Sequence, residues 1–174
     1  MRLGAEWMRY FDEFTLSAFR LEMQQTYTIP AERSNVELFL AGGERPLGHN
    51  AAWRGRIEEI VASGRTVQRA KAVRRPLTDY LRYQCAWSIP GNVAAGEDYR
   101  MVDITENDRD LPEQDFWLFD EVMVVHLDYN PDGTFVGAEL VEEPDLAQYR
   151  RWREVALSHG VAFGEWDAGA GPAG

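Results

Sequence analysis

Five cations and no acid stand in the run GRTVQRAKAVRR, from Gly64 to Arg75: Arg65, Arg69, Lys71, Arg74 and Arg75. On a strand, alternate side chains share a face, so Arg69 and Lys71 project together with Val67 and Val73 beside them. Two cations on an apolar-flanked face suit a phosphate or a carboxylate. Lys71 is the chain's single lysine; the other cations are arginines, which grip such groups bidentately. The competing reading is internal pairing. Glu97 to Glu121 carries ten acids against Arg100 and Arg109, and a basic strand packed beside acidic neighbours accounts for both runs. Internal pairing is favoured.

Two further groupings carry chemistry. The segment SAFRLEMQQTYTIPAE places Arg20, Glu22, Tyr27 and Glu32 close together in sequence. On a helix, Arg20 and Glu22 point about 160° apart, so one faces inward and needs a partner. A cation from the basic strand would satisfy Glu22; in a functional version Glu22 acts as a base beside a bound anion. The structural ion pair is favoured. The segment DFWLFDE sets Asp115 and Asp120 around Phe116, Trp117, Leu118 and Phe119. Paired carboxylates can do acid–base or metal work, but a strand start at Asp115 and a turn at Asp120 are the simpler reading. Four consecutive bulky side chains cannot share one side of a strand. Either both faces of the sheet are covered, or one aromatic pair is exposed for a partner at Asp115, Phe116, Trp117 and Asp120. Cys85, near Trp87, reads as a small buried hydrophobe rather than a nucleophile.

The elements that must position these residues follow from periodicity and punctuation. Glu6 to Phe14 reads as a short aromatic helix or turn. Ser17 to Thr26 is ambiguous, with helix preferred on its Leu, Glu, Met and Gln content. Pro30 opens a helix to Leu40, and Asn50 caps another to Ser63. Thr66 to Val73 alternates as a strand. Pro76 opens a helix to about Trp87, which Pro90-Gly91 breaks. Strands follow at Tyr99–Ile104 and Phe116–Phe119, and a hairpin joins Val122–Asp128 to Thr134–Val141 across Asn130-Pro131-Asp132-Gly133. Pro144 opens a last helix. Regular βαβ alternation is missing. The expectation is an α+β fold with a mostly antiparallel sheet of about five strands and helices mainly on one face. Residues 1–167 form a single domain, and 168–174, small and apolar-poor, form a disordered tail.

Composition removes several function classes. The 174 residues carry a formal net charge of −11, which disfavours nucleic acid and anionic membrane as direct partners. An RNA-cleaving toxin would need a broadly basic groove and ranks last. No apolar run is long enough to span a bilayer, and MRLGAEWMRYFDEF lacks the apolar region of a secretory signal, so the cytoplasm is expected. There is no Walker A sequence, no GxGxxG and no GxSxG. His49, His126 and His159 lie far apart, so no metal and no cofactor is expected. Helix-turn-helix and RNA-recognition signatures are missing.

The runs SAFRLEMQQTYTIPAE, AKAVRRPLTDYL, AGEDYRMVDI and DFWLFDE together resemble a family of small actinobacterial proteins known only as a domain of unknown function. The likeness spans roughly Phe14 to Gly160. The matching positions are Arg20, Glu22, Tyr27, Glu32, Arg74, Pro76, Tyr80, Gly96, Asp98, Asp115, Phe116, Trp117 and Asp120. Members are often encoded beside small helix-turn-helix regulators, so the resemblance implies a regulatory setting and supplies no catalytic residues.

Two functional expectations follow. One is a regulatory interaction protein whose acidic surface occludes a basic, DNA-binding partner such as a helix-turn-helix regulator. The other is an enzyme or sensor for a small anionic ligand. Arg69, Lys71 and Arg74 would hold the anion, Tyr27 and Tyr80 would pack beside it, and Glu22 or Asp98 would be the base. Cations each paired to a carboxylate would count heavily against that second expectation.

Overall fold

A computed structural model describes residues 1–169. Eight strands form one mixed sheet: β1 (Arg2–Leu3), β2 (Ser17–Glu22), β3 (Thr66–Val73), β4 (Asp98–Asp103), β5 (Asp115–Phe119), β6 (Met123–Tyr129), β7 (Phe135–Leu140) and β8 (Val161–Ala162). Their order across the sheet is β1-β7-β6-β5-β2-β3-β4-β8. The pairs β2–β3 and β3–β4 are parallel, and the other five are antiparallel. The class is α+β and the sheet mostly antiparallel, as expected; the count of about five strands is too low. β1 and β8 are two residues long, too short to leave a pattern without their partners.

The larger correction is Ser17–Glu22, a strand rather than a helix. Local propensity favours helix, but β3 pairs on one side and β5 on the other, and this two-sided ladder outweighs a few tenths of a kcal/mol per residue. Asp120 fixes where the strand begins: its carboxylate accepts from the amides of Thr15 (2.8 Å), Leu16 (2.7 Å) and Ser17 (3.0 Å).

Two crossovers join the parallel strands. The first, β2 to β3, carries α2 (Arg33–Leu40) and α3 (Ala51–Ala62); the second, β3 to β4, carries α4 (Asp79–Tyr83), a π-helical turn (Gln84–Ser88) and α5 (Ile89–Ala95). Pro90-Gly91 therefore does not break the chain. Proline sits in the first turn of α5, where its missing N–H would have no partner anyway. Likewise α4 starts at Asp79, capped by Thr78 Oγ1, rather than at Pro76. The hairpin at Asn130–Gly133 forms as expected, with Gly133 in the left-handed region (φ 84°) and its amide donating to the Asn130 carbonyl at 2.8 Å.

Both sheet faces are covered. On one, α1 (Tyr10–Glu13) and α3 pack over Ala18, Val67, Trp117 and Phe119, while α4 and α5 pack over Val73, Tyr99 and Met101. On the other, α6 (Leu146–His159) lays Tyr149, Trp152 and Ala156 on Phe19, Leu21, Ala70, Phe116 and Leu118. This resolves DFWLFDE: Phe116 and Leu118 face α6, Trp117 and Phe119 face the opposite layer, and all four are buried. α6 begins at Leu146, after Pro144, because the Asp145 side chain accepts from the Gln148 amide. Within the tail assigned to 168–174, the Ala168 carbonyl accepts from Arg75 Nη1 at 2.9 Å; residues 170–174 lie outside the described residues. Among the described residues, no helix is long and apolar enough to cross a membrane.

Candidate functional site

The strand at Ser17–Glu22 decides the site. Alternation puts Arg20 and Glu22 on one face rather than 160° apart, and register sets Arg20 opposite Arg69 and Glu22 opposite Lys71. Two guanidiniums side by side would repel. Glu22 relieves this: its Oε1 lies 2.5 Å from Arg69 Nη1 and 3.7 Å from Arg20 Nε, and its Oε2 accepts from Lys71 Nζ at 2.6 Å. Glu97 takes the other side of Arg69, with Nε donating at 2.7 Å. Asp115 on β5 completes the network, accepting from Arg20 Nη2 (2.7 Å), Tyr27 OH (2.6 Å) and the Met23 amide (2.7 Å). Three cations thus meet three carboxylates, almost entirely out of water.

Burial opposes charge on every member, and the outcome differs by partner count. Burial pushes the Glu22 carboxyl up, but Lys71, Arg69 and Arg20 together override it and hold it well below the usual carboxylate range. Glu97 and Asp115 each face one principal cation, so burial wins and both carboxyls rise. Burial likewise drives the Tyr27, Tyr80 and Tyr99 hydroxyls well above their ordinary values, keeping them as neutral donors. A carboxylate as firmly ionised and as fully engaged as Glu22 is a weak base, so its place is that of the structural ion pair.

Above this network lies a cavity of about 250 Å³ between the sheet and the two crossovers. Arg20, Glu22 and Arg69 form its floor; Trp53 and Trp117 flank it; Tyr27 and Glu32 from the first crossover and Tyr80 from the second wall it. The Arg69 guanidinium lies 5.7 Å from the Trp53 ring centroid and 5.5 Å from that of Trp117, within cation–π range. Several lining side chains have polar atoms with no partner: Arg20 Nε and Nη1, Trp53 Nε1 and Gln84 Oε1. Glu32 Oε2 accepts from Tyr80 OH at 2.6 Å, and Gln84 Nε2 donates to the same hydroxyl at 3.3 Å. Buried polar atoms without partners are uncommon in native proteins and mark places where a ligand or water belongs.

A family model described as a domain of unknown function (DUF6879) matches residues 5–168. The chain belongs to the DUF6879 family. No curated protein matches it.

In this DUF6879 chain, five of the seven residues expected at an anion site converge: Glu22, Tyr27, Arg69, Lys71 and Tyr80. Two do not. Arg74 follows the end of β3, with Nη1 donating to the Ile104 carbonyl at 3.1 Å. Asp98 has the opposite parity on β4 from Tyr99, and pairs with Arg100 and Gln68 instead. Arg69 and Lys71 are each paired to carboxylates, which counts against a free-anion clamp. Of the expected partner surface, Asp115, Phe116 and Trp117 are interior, and Asp120 is engaged with the Thr15–Ser17 amides. Cys85 is half-buried against the Val73–Leu81 cluster, and burial pushes its thiol up to about 11. Sequence reading does not single out Trp53, Glu97, Gln84 or Tyr129, which come from four separate segments. Arg20 needed only the strand reading, which puts it two residues from Glu22 on the same face.

Proposed function

We propose that this DUF6879 domain binds a small polar molecule in the cavity over β2 and β3. One observation carries the reading: side chains that hold unpartnered buried hydrogen-bonding atoms line the same concave space as the aromatic walls, the usual make-up of a ligand site. The charged floor supports it too. Such a network is an inefficient way to stabilise a fold, since its desolvation offsets its attraction, whereas it holds polar groups rigidly toward a ligand.

Thermal stability of the full chain against nucleotides, phosphorylated metabolites, carboxylates and amino acids tests this. A compound at a hundred times its dissociation constant stabilises by about 2.7 kcal/mol, several degrees at this size. Ile29→Trp, at the exposed rim shared with the cavity, is expected to leave the unliganded Tm close to wild type and abolish the shift. Absence of any shift across the panel sinks the reading.

A second reading, action with a basic DNA-binding regulator of the helix-turn-helix type, is supported by one surface feature. Glu106, Asp108, Asp110 and Glu113 are all exposed on the loop between β4 and β5. Association would be salt-sensitive and weakened by Glu106→Lys with Asp108→Lys. Native purification that recovers no basic partner removes it.

A further inference from the structure

This inference rests on the cavity being a ligand site and concerns what kind of ligand fits. The four charged side chains that line it, Arg20, Glu22, Arg69 and Glu32, sum to zero. The floor is internally satisfied: Arg69 and Lys71 are consumed by Glu22 and Glu97. Neither Arg69 nor Lys71 is therefore free to clamp an anion, and the groups left over must decide the ligand.

What remains unspent falls into two sets. The donor set is Arg20, 2 % exposed, with Nε and Nη1 unbonded, together with Trp53 Nε1. Arg20 is tied to the Trp117 side of the cavity, its guanidinium carbon 5.9 Å from that ring centroid. The acceptor set is Glu32 and Gln84, joined through Tyr80: Glu32 Oε2 and Gln84 Nε2 both bond the Tyr80 hydroxyl, leaving Glu32 Oε1 and Gln84 Oε1 to accept. Among the described residues, no cation lies within 4 Å of the Glu32 carboxylate. It is the one carboxylate lining the cavity without a cationic partner, and burial raises its pKa accordingly. Tyr27 links the sets, bonded to Asp115 beside Arg20 and packed edge-on against Tyr80 with ring centroids 5.9 Å apart.

We propose that the ligand is a free α-amino acid with an apolar or aromatic side chain, its carboxylate accepting from Arg20 and Trp53 and its ammonium donating to Glu32 and Gln84. Such a zwitterion is net neutral, as the lining is. It carries the acceptor that the donor set lacks and the donor that the acceptor set lacks, on neighbouring atoms. Its side chain has the aromatic walls to pack against, and the cavity has room for one such molecule.

Calorimetry and thermal shift of the full chain with each proteinogenic amino acid, and with the decarboxylated amine and deaminated acid of the best binder, test this. The amino acid is expected to bind, and each one-ended analogue to bind at least about tenfold more weakly, because a buried charged group is then left unpaired. Glu32→Gln, on the half-buried end of the Pro30–Glu32 turn where the Tyr80 hydroxyl retains an acceptor, is expected to weaken the amino acid about tenfold or more and leave the deaminated acid unchanged. Trp53→Phe, which keeps the ring and removes the donor, has the converse selectivity. The proposal is overturned if the deaminated acid binds as well as the amino acid, if Glu32→Gln changes nothing, or if phosphates or nucleotides bind where amino acids do not. These outcomes leave the cavity as a ligand site; silence across every class removes both.

Discussion

The same three strands, β2, β3 and β5, show opposite contents on their two faces. Toward α6 they present Phe19, Leu21, Ala70, Ala72, Phe116 and Leu118; toward the crossover helices they present Arg20, Glu22, Arg69, Lys71 and Asp115, set among Ala18, Val67, Val73, Trp117 and Phe119. Both faces are largely removed from water, although Arg69 on the second keeps 13% of its side chain exposed. The first gains stability from burial, at roughly 25 cal/mol per Å² of apolar area. The second spends much of its attraction on desolvation. A fold that needed only stability would repeat the first on both sides. The charged face is thus the place to look for what the protein does, and the apolar face for what keeps it folded.

The sharpest way to break this contrast is Glu22→Leu. It removes the carboxylate shared by Arg20, Arg69 and Lys71 and leaves three buried cations facing two acids. A loss of about 3–5 kcal/mol is expected in urea unfolding; a loss under about 1 kcal/mol would show that water reaches the floor and that the faces are not alike in burial. The milder Glu22→Gln sharpens it through pH. Glu22's folded pKa is lowered, so its contribution is full above the ordinary glutamate pKa of about 4.3 and disappears as pH falls toward the folded value. The gap in stability between wild type and Glu22→Gln should be flat at neutral pH and close in acid. Glu97 and Asp115, whose pKa values are raised, act oppositely in both proteins: their proton-linked stability is full below the ordinary carboxylate range and is lost as pH rises through their folded values.

On the apolar face, Leu118→Ala should cost about 2–4 kcal/mol through a cavity beneath α6 and leave ligand affinity untouched. A change in affinity would mean that the two faces are coupled through β5. The smallest expected effect is that of Tyr80→Phe. Loss of the hydroxyl bonded to Glu32 should cost about 0.5–1.5 kcal/mol while weakening ligand binding more than stability.

Much of this was readable one segment at a time. The cationic strand, with Arg69 and Lys71, and the Asn130–Gly133 hairpin follow from alternation and turn chemistry, whereas alternation in DFWLF left open whether both faces are covered until α6 was placed. The Ser17–Glu22 strand did not follow, because the preference of its residues for helix is local while its two ladders arrive from about 50 and about 100 residues away. The same reason hid Trp53, Glu97 and Gln84. Each is ordinary in its own segment, and only the crossovers bring them over the floor.

The place of Lys71 has a practical consequence. It is the chain's single lysine, and none of its surface reaches solvent. The folded domain therefore offers no side-chain amine to acylating reagents, enzymatic or synthetic. Covalent tagging at that position requires the floor to open, so its rate, followed by mass spectrometry, is a clock for that opening and slows when a ligand holds the cavity shut.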